Sequence, residues 1–524
     1  MKWSNVSKKI DRTSFPASWK DALQTCNVPI DSLIPDVRFG KSSKKILISQ
    51  KYLMNMNLAR YDDTIAAPAT IPGTGAITII RLSGGKAFDI LDKVVTFSHG
   101  SASEALPNTI KYGNILNSDG SVLDEVLVSI FKAPHSYTGE DSAEISCHAS
   151  SYIASEILRL LNDAGARPAE AGEFTRRAFI NGKMDLSQAE AVADVISANS
   201  SASLHLAMNQ LKGNYSSKLK LLHDKLLEML SLLELELDFS EEDVEFADRG
   251  KLSSLLEDVL AHIQMLKDSF KYGNEIKNGV PVAIAGRVNA GKSTLLNALS
   301  GEERAIVTDI PGTTRDTLEE TVVIDGILFR FIDTAGLRDT DDPVEKIGVS
   351  RSYEKLKKAS VVLAVIDVSS SEEENTASIT DIAERINPKN QKLIVLFNKT
   401  DELAPNINVS ILNNSVLYTK NKTDIIYISA KTGFGLDELK KRLSETQKDK
   451  TFNSDDAIVT NLRHFSALAE AEKYLLHLKS AMSSEVSNDL LAEDLRQANY
   501  ALGTITGEVT TDELLGNIFA HFCV

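Results

Sequence analysis

Residues Pro281–Thr294 read PVAIAGRVNAGKST: an apolar run, then G-x-x-x-x-G-K-S from Gly286 to Ser293, then a helix start. The run predicts a buried strand. The glycines predict a tight loop whose backbone N–H groups close around phosphate at the positive end of the following helix. Lys292 then reaches the β- and γ-phosphates and Ser293 binds Mg²⁺, with Asn289, Ala290, Gly291 and Thr294 completing the cradle. Three further pieces follow in order. FRFIDTAG is a strand that brings Asp333 to the Mg²⁺ shell and, through Thr334 and Ala335, the Gly336 N–H to the γ-phosphate. LIVLFNKTD carries Asn398, Lys399 and Asp401, and IIYISAK sets Ser429, Ala430 and Lys431 beside the base. Asp401 can accept two N–H bonds from a guanine edge, a donor pattern adenine lacks. Each piece alone has an ordinary reading, such as a surface Asp at a strand end or an Asn-Lys turn. The ordered set points to GTP.

Between these pieces, TDIPGTTRDTLEE (Thr308–Glu320) is polar and carries Pro311 and Gly312. It predicts a loop able to close over the γ-phosphate, with Thr314 completing the Mg²⁺ shell. Leu337, not glutamine, follows DTAG, so either hydrolysis is slow or another group orients the attacking water. Two residues are candidates to make good that loss. The Asn289 amide oxygen could hold a monovalent cation between the phosphates, or merely cap a turn. Glu345 in DDPVEKIG could reach a water, or merely be a solvated loop acid.

Outward from this module the periodicity changes. Leu204, Met208, Leu211, Tyr215, Leu219, Leu222, Leu226, Met229, Leu233 and Leu237 recur every three or four residues, which predicts one long amphipathic helix or two joined near Gly213. The acidic run Ser240–Phe246 breaks that pattern. A second helical pattern holds Phe465, Leu468, Ala471, Leu475 and Leu478 and continues through Asn488–Gly507. The simplest fold packs both sets into one body, with the nucleotide module inserted where its ends lie close together. Two separate helical domains are the plainer alternative. Nearer the N-terminus, GAITIIRLSG (Gly75–Gly84) and LDEVLVSIF (Leu123–Phe131) predict strands, and Ser151–Gly165 predicts a helix ended by glycine. The expectation is a multidomain α/β protein: a leader over 1–60, an α+β domain over 61–184, helical segments over 185–278 and 448–524, and a P-loop domain with a mostly parallel sheet over 279–447.

The totals set limits. The chain of 524 residues has 57 Lys plus Arg against 73 Asp plus Glu, a net charge of -16, so any nucleic-acid surface must be a local patch. The cysteines Cys26, Cys147 and Cys523 form neither a disulfide framework nor a clustered metal signature. No stretch has 18 consecutive apolar residues, so no membrane span is expected. Residues 1–60 hold eleven Lys or Arg, four Asp and no Glu, a bias that fits an organelle-targeting extension.

A resemblance brings these parts together. The stretches DTIAAPATIPGTGAITIIRLSG, SYTGEDSAEISCHAS, AGEFTRRAFINGKMDLSQAEAVADVISANS, GRVNAGKS, IVTDIPGTTRD, DTAGLRDTDDPVEKIG and LLAEDLRQANYALGTITGEVTTDELLGNIFAHFC make the chain, from about Asp63 onward, closely resemble the MnmE (TrmE) family of tRNA-modifying GTPases. The resemblance implies a folate-binding, dimer-forming N-terminal domain, a discontinuous helical domain and an inserted G domain. It implies a potassium-stimulated GTPase that forms a homodimer and works on tRNA with an FAD-containing, MnmG/GidA-like partner. Together they would add an aminomethyl-type group to C5 of the wobble uridine, position 34, with a reduced folate (5-formyl- or 5,10-methylene-tetrahydrofolate) as carbon source. It further implies that Asn289, Thr308, Ile310 and Thr313 surround K⁺, that Ser293 and Thr314 bind Mg²⁺, and that Asp309, Pro311 and Gly312 lie in the same closing loop. Glu345 would orient water, and Arg81, Glu144 and Lys183 would contact folate. Cys523 matches the cysteine tied to the modification, although the family's final Gly-Lys is absent from HFCV. With the basic leader, a mitochondrial location is expected, plastid or cytoplasm being alternatives. A ribosome-assembly or regulatory GTPase without modification activity is the rival reading.

Overall fold

The computed structural model describes residues 63–117, 119–238, 249–301, 319–333, 356–402, 424–448, 456–482, 487–520 and 522. Its N-terminal part is one sheet with helices on one face. The elements are β1 (Ile65–Pro68), β2 (Ile77–Ser83), α1 (Ala87–Val94), β3 (Val95–Phe97), β4 (Thr109–Leu116), β5 (Val122–Phe131), β6 (Ser142–His148), α2 (Ser151–Asp163) and β7 (Arg167–Pro168). The strand order is β3-β4-β5-β6-β2-β1-β7, antiparallel except for the β1–β7 pair. Alternation in β5 sends Val126, Val128 and Ile130 inward against Leu91 of α1 and Ile157 and Leu161 of α2. The same alternation leaves Ile110, Tyr112 and Leu127 exposed on the opposite face.

After α3 (Glu173–Ile180) and α4 (Leu186–Ser197), the helical stretch takes the second of its two expected forms, two helices joined near Gly213: α5 (Ser201–Leu211) and α6 (Asn214–Asp238). Gly213 separates them at a φ of +85°, a conformation that side chains rarely adopt. With α7 (Arg249–Asn278), α11 (Leu462–Met482) and α12 (Asn488–Thr506), α6 shares one apolar core. Leu222, Leu226 and Leu233 meet Leu256 and Ile263 of α7, Leu468 and Leu475 of α11, and Leu495 and Leu502 of α12 within that cluster. No one of these helices could bury its stripe alone. The sets before and after the nucleotide module therefore fold as one body.

The 30-residue α7 runs straight into β8 (Val280–Ala285). The remaining elements of this module are α8 (Lys292–Ser300), β9 (Glu319–Ile324), β10 (Ile327–Asp333), β11 (Val361–Asp367), α9 (Glu372–Arg385), β12 (Lys392–Asn398), β13 (Asp424–Tyr427) and α10 (Leu436–Lys448). The order is β13-β12-β11-β8-β10-β9, parallel except for the β9–β10 hairpin. Strands covered on both faces are apolar throughout, as VVLAVI in β11 illustrates. One face packs on Leu295 and Leu299 of α8 and Leu439 and Leu443 of α10, the other on Ile379 and Ile382 of α9. A last helix, α13 (Asp512–Phe519), returns to the N-terminal part. A Cβ on Gly172 would lie 2.8 Å from Phe522 Cβ and 2.9 Å from the Phe519 carbonyl.

Candidate functional site

Five parallel strands end at one edge of the nucleotide module, and β8 lies between β10 and β11 at the point where the strand order turns back. Such an edge is where open α/β sheets bind ligands. The phosphate loop leaves β8 there. Gly286 has a φ of +152°, and a Cβ on it would lie 2.3 Å from the Val365 carbonyl, so only glycine lets the loop pass so close to β11. Asn289 is left-handed at +66°. Gly291 sits at +95° just before α8, where a Cβ would come within 2.2 Å of the Asn398 side-chain nitrogen. The Lys292 ammonium spans the loop, donating to the carbonyls of Gly286 and Arg287 at 2.9 Å each. Ser293 and Thr294 follow in the first turn of α8. Asp333 is the last residue of β10, in register with Ile284 of β8, which brings it to the same edge.

The base-side loops are tied to the phosphate loop by one buried amide. Asn398, 2% exposed, donates to the Ala290 carbonyl at 2.8 Å and accepts the Ala430 N–H at 2.9 Å. Ser429, also buried, donates its hydroxyl to Asp401 Oδ1 at 2.7 Å. That bond holds the Asp401 carboxyl below its ordinary range, so it stays an anion and an acceptor. Lys431 is exposed beside it. Thus Asn289, Ala290, Gly291, Lys292, Ser293, Thr294, Asp333, Asn398, Lys399, Asp401, Ser429, Ala430 and Lys431 meet at one edge, as the motifs imply.

In the N-terminal part, Arg81 and Glu144 are direct cross-strand neighbours, and Arg81 donates from Nε and Nη2 to Glu144 Oε1 at 3.0 and 2.8 Å. The guanidinium also lies 5.2 Å from the ring centre of Tyr137 and 5.5 Å from that of Phe174. Lys183 donates to the Pro134 carbonyl at 2.9 Å. All three residues therefore border the segment 132–141. Beneath them is a cluster that no motif indicates. Arg177, 1% exposed, pairs with Asp63, Glu140 and Glu173, and Arg167 pairs with Asp63 and Glu173. Burial alone would raise the Glu173 carboxyl, but the two guanidiniums and the Glu170 N–H outweigh it and hold it low. These partners lie up to 114 positions apart, so no local pattern could have found them.

The family description "GTP-binding protein TrmE N-terminus" matches residues 64–183, and "MnmE helical domain" matches 186–523. The tRNA modification GTPase MnmE of Bacteroides thetaiotaomicron is 48% identical over 469 residues, covering 88% of this chain and 99% of that protein. That of Flavobacterium johnsoniae is 47% identical over 464 residues, with 88% and 99% covered. The chain belongs to the MnmE family of tRNA modification GTPases. Among solved structures, the G domain of the T. maritima FeoB iron transporter is 30% identical, covering 32% of this chain and 97% of that one, with a TM-score of 0.24.

The MnmE helical match begins before the nucleotide module and ends after it, as does the shared helical core. Several expected positions of the MnmE pattern lie outside the described residues: Thr308, Asp309, Ile310, Pro311, Gly312, Thr313, Thr314, Thr334, Ala335, Gly336, Glu345 and Cys523. Cys147 is buried, and its thiol is pushed up to about 11 by burial and by Asp124, so it packs rather than reacts. Among the described residues no helix is long and apolar enough to cross a membrane.

Proposed function

We propose that this MnmE-family chain binds and hydrolyses GTP, and uses that cycle to modify the wobble uridine of certain tRNAs. The observation that carries the first half is the single edge where the Asn398 clamp joins the phosphate loop to the base loops. There the N–H groups opening α8 and the Lys292 ammonium can take a triphosphate, and the Asp401 anion can take the two N–H donors of guanine. Mg²⁺ suits the oxygen donors Ser293 and Asp333, with Thr314 as a third; when bound it neutralises charge developing on the phosphates. Asn289 holds its left-handed turn inside the loop, a position from which its amide oxygen can serve K⁺, with Thr308, Ile310 and Thr313 as further ligands. Glu345 would orient the water that Leu337 cannot.

The second half follows from the family. Arg81 and Lys183 would pair with folate carboxylates and Glu144 would accept from the pterin ring, so folate would displace the Arg81–Glu144 bond seen now. The exposed apolar face holding Ile110 and the cross-strand pair Tyr112–Leu127 suits a homodimer contact. An FAD-containing, MnmG-like protein would supply the redox half of the reaction, Cys523 would act in it, and the basic segment 1–60 would direct the chain to mitochondria. Nucleoside mass spectrometry of tRNA from cells lacking the gene, with the chain restored in parallel, tests this reading. Loss and recovery of a C5-modified uridine at position 34 is the expected result. Unchanged tRNA on gene loss would leave a GTPase without a modification role.

A further inference from the structure

The Asn398–Lys399 turn sits beside an acid that belongs to none of the motifs. Strands β11 and β12 pair as far as Asp367 and Asn398, and beyond that rung the Val368 N–H donates to the Asn398 carbonyl. At the next residue Lys399 takes a φ of +69°, and its ammonium donates to Asp367 Oδ2. The other oxygen of Asp367 is already engaged. It accepts the Ser369 N–H at 3.0 Å and the Ser369 hydroxyl at 2.6 Å. The carboxylate is therefore fixed by its own turn before it meets the lysine. Its side chain is 19% exposed and that of Lys399 27%. Burial would raise the Asp367 carboxyl, but the bonds from Lys399 and Ser369 outweigh it and hold it low, while the Lys399 ammonium is raised in turn.

A lysine stem has four rotatable bonds, and pressing a loose one against a ligand costs about 2 kcal/mol of rotamer freedom. Anchored at its far end, the Lys399 stem instead spans the C-terminal edge of the sheet between β12 and β11, two residues from Asp401. Its methylenes then form an apolar surface already in place. We propose that Asp367 is a positioning residue for the guanine nucleotide: by holding the Lys399 ammonium, it sets the lysine stem as the face on which the purine ring rests, while Asp401 reads the ring edge. The inference rests on the GTP-site reading above.

The test uses the full-length protein, with GDP and IDP dissociation constants measured by calorimetry and GTP turnover followed at steady state. Asp367→Asn keeps an acceptor for Ser369 and removes the charge. It is expected to weaken GDP and IDP by the same factor, roughly fivefold, to raise KM for GTP likewise, and to leave kcat within about twofold and Tm unchanged. In a Lys399→Ala background the same substitution is expected to add nothing. Asp401→Asn, by contrast, is expected to erase the preference for GDP over IDP. Unchanged GDP and IDP affinities in Asp367→Asn, or losses that add fully to those of Lys399→Ala, would overturn the proposal. Failure of the unaltered protein to bind GDP would instead remove the nucleotide-site reading, and the two failures are told apart by that control.

Discussion

The nucleotide edge and the base of the helical body use buried polar groups in opposite ways. At the nucleotide edge, buried groups fix others that stay open to solvent: Asn398 and Ser429 are buried, while Asp401 and Lys431 are exposed to a ligand. At the base of the helical body the charges consume one another. Glu190 of α4 accepts from Arg463 Nε and Nη2 at 2.9 and 3.0 Å and from His464 Nε2 at 2.6 Å. Arg463 also donates to the Thr504 and Ile505 carbonyls at the end of α12, and His464 stacks on Tyr215 of α6 with ring centres 5.3 Å apart. The Arg177 cluster is saturated in the same way. Charge at a site is thus distinguished from charge in a scaffold by what remains unspent, not by residue type.

The largest expected effect tests the scaffold side. Arg177→Met would leave Glu173, Glu140 and Asp63 without their shared cation, and should cost about 3–5 kcal/mol in urea unfolding. A loss below 1 kcal/mol would mean that water already serves those carboxylates. Next, Asn398→Ala strips the Ala430 N–H and Ala290 carbonyl of a buried partner. It should cost about 2 kcal/mol and weaken GDP at least about tenfold; a stability loss with intact GDP affinity would separate the clamp from the site.

The third expectation concerns pH. Burial lowers the His464 value, Glu190 only partly offsetting it, so the imidazole is neutral when folded. Its contribution is therefore present above the unfolded value near 6.5 and is lost as pH falls below it. For Glu190, burial would raise the carboxyl, but the hydrogen bond from His464 and the Arg463 guanidinium outweigh it and hold it low. Its contribution is present above the unfolded value and is lost as pH falls from about 4.5 towards the lowered folded value. Melting temperature should accordingly decline from pH 6.5 to 5, with a shallower slope in His464→Gln; an identical slope would assign the acid sensitivity elsewhere. The smallest effect is expected at Glu144→Gln. Its pair with Arg81 is partly exposed, so stability should move by less than about 1 kcal/mol, while affinity for 5-formyl-tetrahydrofolate should fall. No change in folate binding would break the functional reading of that pair and return it to the scaffold class.

What could be read in advance follows from how far apart the cooperating residues lie. The phosphate loop, Asp333, Asn398–Asp401 and Ser429–Lys431 each occupy a few consecutive positions, because a strand end presents successive residues to one ligand. The sequence by itself therefore determined the nucleotide module, its guanine preference, the three-part organisation and the helical stripes. It left open whether the helix divides at Gly213, because helical periodicity continues across the break, and it did not reveal Asp367, which lies 32 positions from the lysine it holds. Only the tertiary structure decided which charges are spent. Glu190 and His464 are 274 positions apart, and Arg177 and Asp63 are 114 apart. Pairing over such distances is set by how helices and strands pack, and packing fixes burial, which decides whether a charged group must find a partner or can wait for a ligand.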